Sequence, residues 1–171
     1  VVAKRIKRSE GLLFQTLYQA HKIMTLIFTG KNINFGNYSC LTKNDTKVLS
    51  TKKSLWSSFS GSVKKHIPKL NTINSIRGPR YFGPSKMSLF NLGIHSLSII
   101  AVFKLFVFIR SAILALIIYY FRDHIGFLLF VISIALLIFF NLMIYLVSFR
   151  ENKKDLLDSG ENIADTKSYT H

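Results

Sequence analysis

Residues 125–149 (IGFLLFVISIALLIFFNLMIYLVSF) carry no charge across 25 consecutive positions. As a helix this run extends about 37 Å, more than the roughly 30 Å of a bilayer's hydrocarbon core. A chain of 171 residues is too small to cover such a helix on every side, so a transmembrane span is expected. A second apolar run, residues 105–121 (LFVFIRSAILALIIYYF), is broken by Arg110. A long arginine near a helix end can snorkel to the headgroups, which sets Arg110 at one interface and Tyr119 and Tyr120 at the other. Arg122, Asp123 and His124 leave only a very short turn between the two runs, so both outer ends of this hairpin face the same side.

Orientation follows from the basic residues. Lys86, Lys104 and Arg110 precede or open the first run, and Arg150, Lys153 and Lys154 follow the second, whereas the turn offers only Arg122. The positive-inside rule places the headpiece and the C-terminal tail in the cytoplasm, making an integral membrane protein of two spans. The tail, residues 150–171, is polar and weakly patterned and is expected to be disordered.

Composition agrees with this division. The mean hydropathy is +0.30 and 15 residues are Phe, yet Lys+Arg outnumber Asp+Glu 23 to 8. Residues 1–98 hold 16 Lys/Arg and 2 acids, a net of +14, and residues 99–171 hold 7 and 6, a net of +1. That is a basic headpiece joined to an apolar segment, and it excludes both an ordinary soluble domain and a disordered basic tail. The single cysteine, Cys40, excludes a disulfide framework within the chain and reads as an ordinary buried thiol. No signal peptide is visible, because Gln15, Gln19, His21 and Lys22 interrupt the first apolar stretch. The chain opens on Val1, and the expectation is a fragment with an upstream part.

Within the headpiece, Val1–Ala3 reads as a strand end. Residues 11–29 read as a helix on the spacing of Leu13, Leu17, Ala20, Met24 and Ile27, with Gly30 as its stop. Residues 32–41 read as a strand or loop turning at Gly36. Residues 44–50 and 53–66 read as short helices capped by Asn44 and Ser54. Residues 72–82 look extended, with Pro79 arguing for an edge or loop. Residues 87–104 are loosely amphipathic, which predicts a helix lying at the membrane interface, or else an extension of the first span bent at Gly93.

The most specific string is Arg77-Gly-Pro-Arg80-Tyr-Phe-Gly83-Pro-Ser85-Lys86-Met-Ser88. Two guanidinium forks, an ammonium, hydroxyls and helix N-terminal amides are all phosphate ligands, set here just before a juxtamembrane helix. Spacing alone leaves open a built phosphate site and a basic stretch drawn to anionic lipid at about 1 kcal/mol per charge.

This R-x-x-R-x-x-G-x-S-K-x-S pattern, followed by an amphipathic stretch and two apolar helices, resembles the C-terminal part of family 2 glycosyltransferases. The nearest likeness is to polyprenyl-phosphate glycosyltransferases, and dolichyl-phosphate mannose synthase is a more distant one. The opening VVAKRIKR resembles that family's strand leading to an arginine, here Arg5. The resemblance covers the chain to about residue 149. It implies a mainly helical chain with a few strands: the truncated C-terminal half of a GT-A α/β domain over 1–86, an interfacial helix over 87–104, two transmembrane helices over 105–149 and a tail over 150–171. It implies that Arg5, Arg77, Arg80, Ser85 and Lys86 bind the lipid phosphate or the donor pyrophosphate, and that Asn34 and Asn37 lie in the acceptor loop. Many members show an Asp and a Ser-Gly-Phe-Arg-like string in that loop, where this chain has Asn34-Phe-Gly36-Asn37-Tyr38-Ser39. No Asp-x-Asp occurs, so the Mg or Mn of the family is expected in the missing N-terminal half together with the nucleotide-sugar site, and no metal in this chain. The implied reaction moves a sugar from a nucleotide-sugar to a lipid-linked phosphate such as polyprenyl phosphate, with this fragment inactive by itself. A phosphate acceptor is already ionised at neutral pH, so charge neutralisation matters more than a strong general base.

The rival reading is a non-enzymatic basic anchor or adaptor that binds anionic lipid or a protein partner. Nucleic-acid binding ranks last: Trp56 and Phe59 beside Lys52, Lys53, Lys64 and Lys65 read as a helix with an apolar core face and a basic outer face. His21 reads as structural. His66 and His95 lack neighbours at metal-ligand spacing. The sequence leaves open which sugar and lipid are used and whether the chain forms a homo-oligomer.

Overall fold

The computed structural model describes residues 1–7, 12–76 and 88–159, and over these the chain is mainly helical with one small sheet. The headpiece contains β1 (Val2–Lys7), α1 (Leu12–Thr29), β2 (Phe35–Ser39), α2 (Lys43–Ser50), α3 (Ser54–Ser57), α4 (Phe59–His66) and β3 (Thr72–Ile76). After it come α5 (Leu89–Ala101), α6 (Lys104–Tyr120), α7 (Arg122–Ile125), α8 (Phe127–Ser148) and α9 (Lys153–Asp158).

The sheet has the order β2-β1-β3, with β1 antiparallel to β2 and parallel to β3. Val2 pairs with Ser39 and Lys4 with Phe35, so two steps along β1 face four along β2. This irregularity takes up Gly36, which lies inside the strand and forms no turn there, contrary to the sequence expectation. A bulge absorbs extra residues without reversing the chain.

Local chemistry sets the helix ends. Gly30, at φ 68°, stops α1 as expected. The cap of α2 is Thr42 and not Asn44: its hydroxyl oxygen accepts the Asp45 N–H at 3.1 Å, while the hydroxyl donates to the Asp45 carboxylate at 2.8 Å. Asp three residues after Thr lets the two side chains support one another, which Asn44 cannot do from inside the turn. Residues 53–66 form two helices because Ser58 is extended (φ −156°, ψ 116°) and its hydroxyl accepts the Gly61 N–H. Ser54 therefore starts α3 as a helical residue and is not its cap.

Two apolar clusters meet at α5. Val2, Ile33, Phe35, Leu49, Val63 and Ile67 form the headpiece core with Ile99, Val102 and Phe103. Ile100 and Ala101, on the other side of the same turn, pack with Val107 of α6 and with Ile144 and Val147 of α8. Burying side chains of this size stabilises by about 1.5–3 kcal/mol each, so this turn ties the headpiece to the apolar helices. α5 and α6 meet at 89°, and the break falls at Val102–Phe103 and not at Gly93, which lies within α5. Continuing straight would pull Val102 and Phe103 out of the core. The freed Val102 carbonyl accepts a hydrogen bond from Lys65 Nζ at 2.7 Å.

The start of α6 meets the end of α8 through Val107, Ile144 and Val147, and the Tyr119 and Phe130 rings meet at the other end. The two helices are therefore antiparallel. The link between them is a one-turn helix, α7, closed by Gly126 at φ 77°. α8 is long and apolar enough to cross a membrane, and only 6% of its most apolar window is buried. α6 is shorter, 17 residues or about 25 Å, and passes the same test only together with α5.

The expected disordered tail is partly helical. Asn152 Oδ1 accepts the Lys154 and Asp155 N–H groups, which starts α9, and α9 packs on α3. An Asx cap at the foot of α8 gives a short polar segment the local order that its composition hides. Residues 160–171 lie outside the described residues.

Candidate functional site

The parallel strands β1 and β3 end at the same edge of the sheet, and antiparallel β2 begins there. Arg5 pairs with Ser75 and Lys7 with Ile76, while Lys4 pairs with Phe35. Asn34, half-buried, stands one residue before β2 at this edge. The chain leaves β1 here towards α1 and leaves β3 here towards α5. Outside the carboxyl ends of parallel strands is where open α/β sheets take their ligands, because the loops converge there.

Of the residues singled out from sequence, Arg5 on β1 and Asn34 just before β2 thus fall at one edge. Asn37 is exposed within β2. Arg77, Arg80, Ser85 and Lys86, with Pro79, lie outside the described residues. The described chain resumes at Ser88, whose hydroxyl accepts the Asn91 N–H at 3.2 Å and caps α5. Among the described residues no three His, Cys, Asp or Glu side chains come together as a cation site.

Three clusters were not legible in the sequence. Ser54 Oγ lies 2.9 Å from Ser62 Oγ and 3.3 Å from His66 Nε2. Both serines are buried in the α3–α4 corner, so this hydroxyl–imidazole chain is internal packing and not an exposed nucleophile. Helical spacing puts Ser62 and His66 on one face of α4, a signal that could have found that pair. The second cluster is Glu151, 3.4 Å from Lys104 Nζ and 3.9 Å from Lys53 Nζ, which closes the foot of α8 onto the start of α6 and onto the headpiece. The third is Arg110. Its Nη1 donates to Ile27 O at 2.8 Å and Leu26 O at 3.4 Å, so it caps α1, a partner the sequence did not reveal.

Two smaller expectations are corrected. Cys40 is exposed, because it follows the edge strand β2 and joins the sheet only through its backbone. Trp56 is exposed, while Phe59 packs on the core: α3 is a single turn, so its side chains do not share the face of α4. His21 Nδ1 lies 3.5 Å from Thr25 Oγ1, and the His21 carbonyl accepts from the same hydroxyl at 2.8 Å.

Burial, with repulsion from Lys65 and Lys52, holds the His66 imidazole below its ordinary value of 6.5. The folded protein then takes up this proton less readily than the unfolded chain. The stability this group contributes is intact above pH 6.5 and is lost as pH falls below that value towards the lowered folded one. Unfolding followed by the single Trp56 in detergent should show stability falling between about pH 7.5 and about pH 5.5, and His66→Gln should flatten the profile.

Compared with protein-family models, curated proteins and solved structures, the chain matches none.

Proposed function

We propose that this chain is the acceptor-side, membrane-bound portion of an inverting glycosyltransferase with the GT-A architecture. It transfers a sugar from a nucleotide-sugar to a lipid-linked phosphate such as polyprenyl phosphate. The observation that carries this reading is that Arg5, Asn34 and the end of β3, from which the chain continues to Arg77, share one sheet edge in a chain that also holds a helix long and apolar enough to cross a membrane. In the proposed mechanism Arg5, Arg77, Arg80 and Lys86 neutralise the acceptor phosphate or the donor pyrophosphate. Ser85 donates a hydrogen bond to the same group, and Asn34 and Asn37 orient the acceptor. The nucleotide-sugar and its Mg or Mn belong to a donor-binding half outside this chain. The headpiece and tail face the cytoplasm, where the lysines meet anionic lipid.

The test is transfer of labelled sugar to polyprenyl phosphate in membranes holding this chain together with its donor-binding half. Arg80→Ala is expected to lower transfer about 100-fold, the scale for removing one charge-stabilising donor. Unchanged transfer refutes the role of Arg80. Absence of transfer in the native protein, with retained binding to anionic vesicles, favours the basic anchor or adaptor instead.

A further inference from the structure

α1 carries an uncharged outer stripe. Leu17, Ala20, Ile23, Met24 and Ile27 recur at three- and four-residue steps and all are exposed; Ile27 is 53% exposed. In water such a stripe has no partner. α1 packs against α6, on which Ile109 and Ile113 are exposed in the same way.

The end of α1 is finished from within. Thr25 Oγ1 donates to His21 O and Thr29 Oγ1 to Thr25 O, while Thr29 Oγ1 accepts the Lys31 N–H at 3.1 Å. The last carbonyls of a helix ordinarily turn to water. Here Arg110 reaches over from α6 to Leu26 O and Ile27 O. Gly30 admits it, since a Cβ at that position would stand 2.5 Å from Arg110 Nη2. Two of the last four carbonyls, Leu26 O and Ile27 O, are thus met by a protein donor, as a medium without water favours. The arrangement also explains an arginine inside an apolar helix: its charge faces the negative end of the α1 dipole.

Position agrees. Arg110 lies six residues into α6, about 9 Å along its axis. Phe28 packs on Phe140 of α8 at 4.4 Å between ring centroids, and Phe140 lies eight residues before Ser148, about 12 Å along that helix. Gln15 and Gln19 lie in the N-terminal half of α1; Lys22, half-buried, opens the C-terminal half, and Lys31 follows its end, both on stems long enough to snorkel.

We infer that the C-terminal half of α1 is inserted among lipid acyl chains beside α6 and α8, with its Leu26 and Ile27 carbonyls capped by Arg110, so that the headpiece itself enters the bilayer. This rests on α8 lying in the membrane, and the experiment separates the two. In a Cys40→Ser background, single cysteines replace Ile23 and Ile27, with Leu136→Cys on α8 and Tyr38→Cys on β2 as references. Each protein is reconstituted into phosphatidylcholine–phosphatidylglycerol vesicles and tested with an impermeant maleimide. Bimane-labelled samples are tested for quenching by nitroxide-bearing acyl chains. Ile23→Cys and Ile27→Cys should react about tenfold more slowly than Tyr38→Cys and be quenched like Leu136→Cys. Adding Arg110→Ala should raise the maleimide rate at Ile27→Cys, as the uncapped helix end withdraws to water. If both α1 positions react like Tyr38→Cys while Leu136→Cys is quenched, the insertion of α1 is wrong and the span stands. Protection without quenching assigns the stripe to packing against a second copy of the chain and likewise overturns the inference. An unquenched, reactive Leu136→Cys removes the membrane reading and the insertion together.

Discussion

Gly61→Leu should destabilise the headpiece by about 3 kcal/mol, at the upper end of what overpacking costs. Gly61 lies in α4 where it crosses α5, and a Cβ there would stand 3.0 Å from Val102 Cγ2, 3.2 Å from the Ile99 carbonyl oxygen and 3.2 Å from Ser58 Oγ. Val102 is buried in the headpiece core, and the Ile99 carbonyl is backbone in the turn that joins the two clusters. A leucine therefore has to move the turn that holds the headpiece to the apolar helices. Gly61→Ala separates size from helix propensity. It gains about 1 kcal/mol of propensity and loses a similar amount in tight contacts, so its net effect should be small. Thermal unfolding in detergent, followed by Trp56 emission, measures both. A leucine variant as stable as the native protein would show that α4 and α5 do not meet at Gly61.

Glu151→Ala has the second largest expected effect. The Glu151 side chain is 5% exposed, and its Oε2 lies 3.4 Å from Lys104 Nζ. Removing it leaves Lys53, Lys65 and Lys104 together without a counter-charge. Breaking a fully buried pair costs about 3–5 kcal/mol; since Lys53 and Lys104 keep substantial contact with water, about 2 kcal/mol is expected here. The sign with pH follows from Lys65, which burial already holds below 10.5 and which Glu151 partly raises. Without Glu151 its folded value drops further, so the lost stability is recovered as pH rises towards 10.5 and grows as pH falls. The deficit of the variant should therefore narrow in alkaline buffer. Tryptic cleavage at Lys153 and Lys154 should also quicken, because Glu151 fixes the chain from which α9 starts.

Both predictions concern contacts between parts of the chain that are far apart in sequence, and such contacts were the least legible. α1 and α8 were read well because their information is local: a helical spacing closed by Gly30, and an uncharged run longer than a bilayer is thick. The break of residues 53–66 at Ser58 was missed because the hydroxyl that caps α4 is one of several serines in that stretch, and only the backbone angles decide among them. Cys40 was expected inside because small sulfur side chains usually are, but an edge strand turned it outwards. The convergence of Arg5, Asn34 and the exit of β3 needs the pairing β2-β1-β3, which no local pattern encodes.

By itself, then, the sequence determined the charge division, the apolar run of α8, and the positions of most helices, since these follow from side-chain chemistry within a turn or two. Tertiary structure alone decided that α5 stops at Val102 to fill the headpiece core, that Glu151 draws Lys53 and Lys104 to one point, and that Arg110 meets the end of α1. The reason is one of range. Propensity and hydropathy act on neighbours along the chain, whereas a buried charge or an open helix end is satisfied by whichever group the fold brings within about 3 Å.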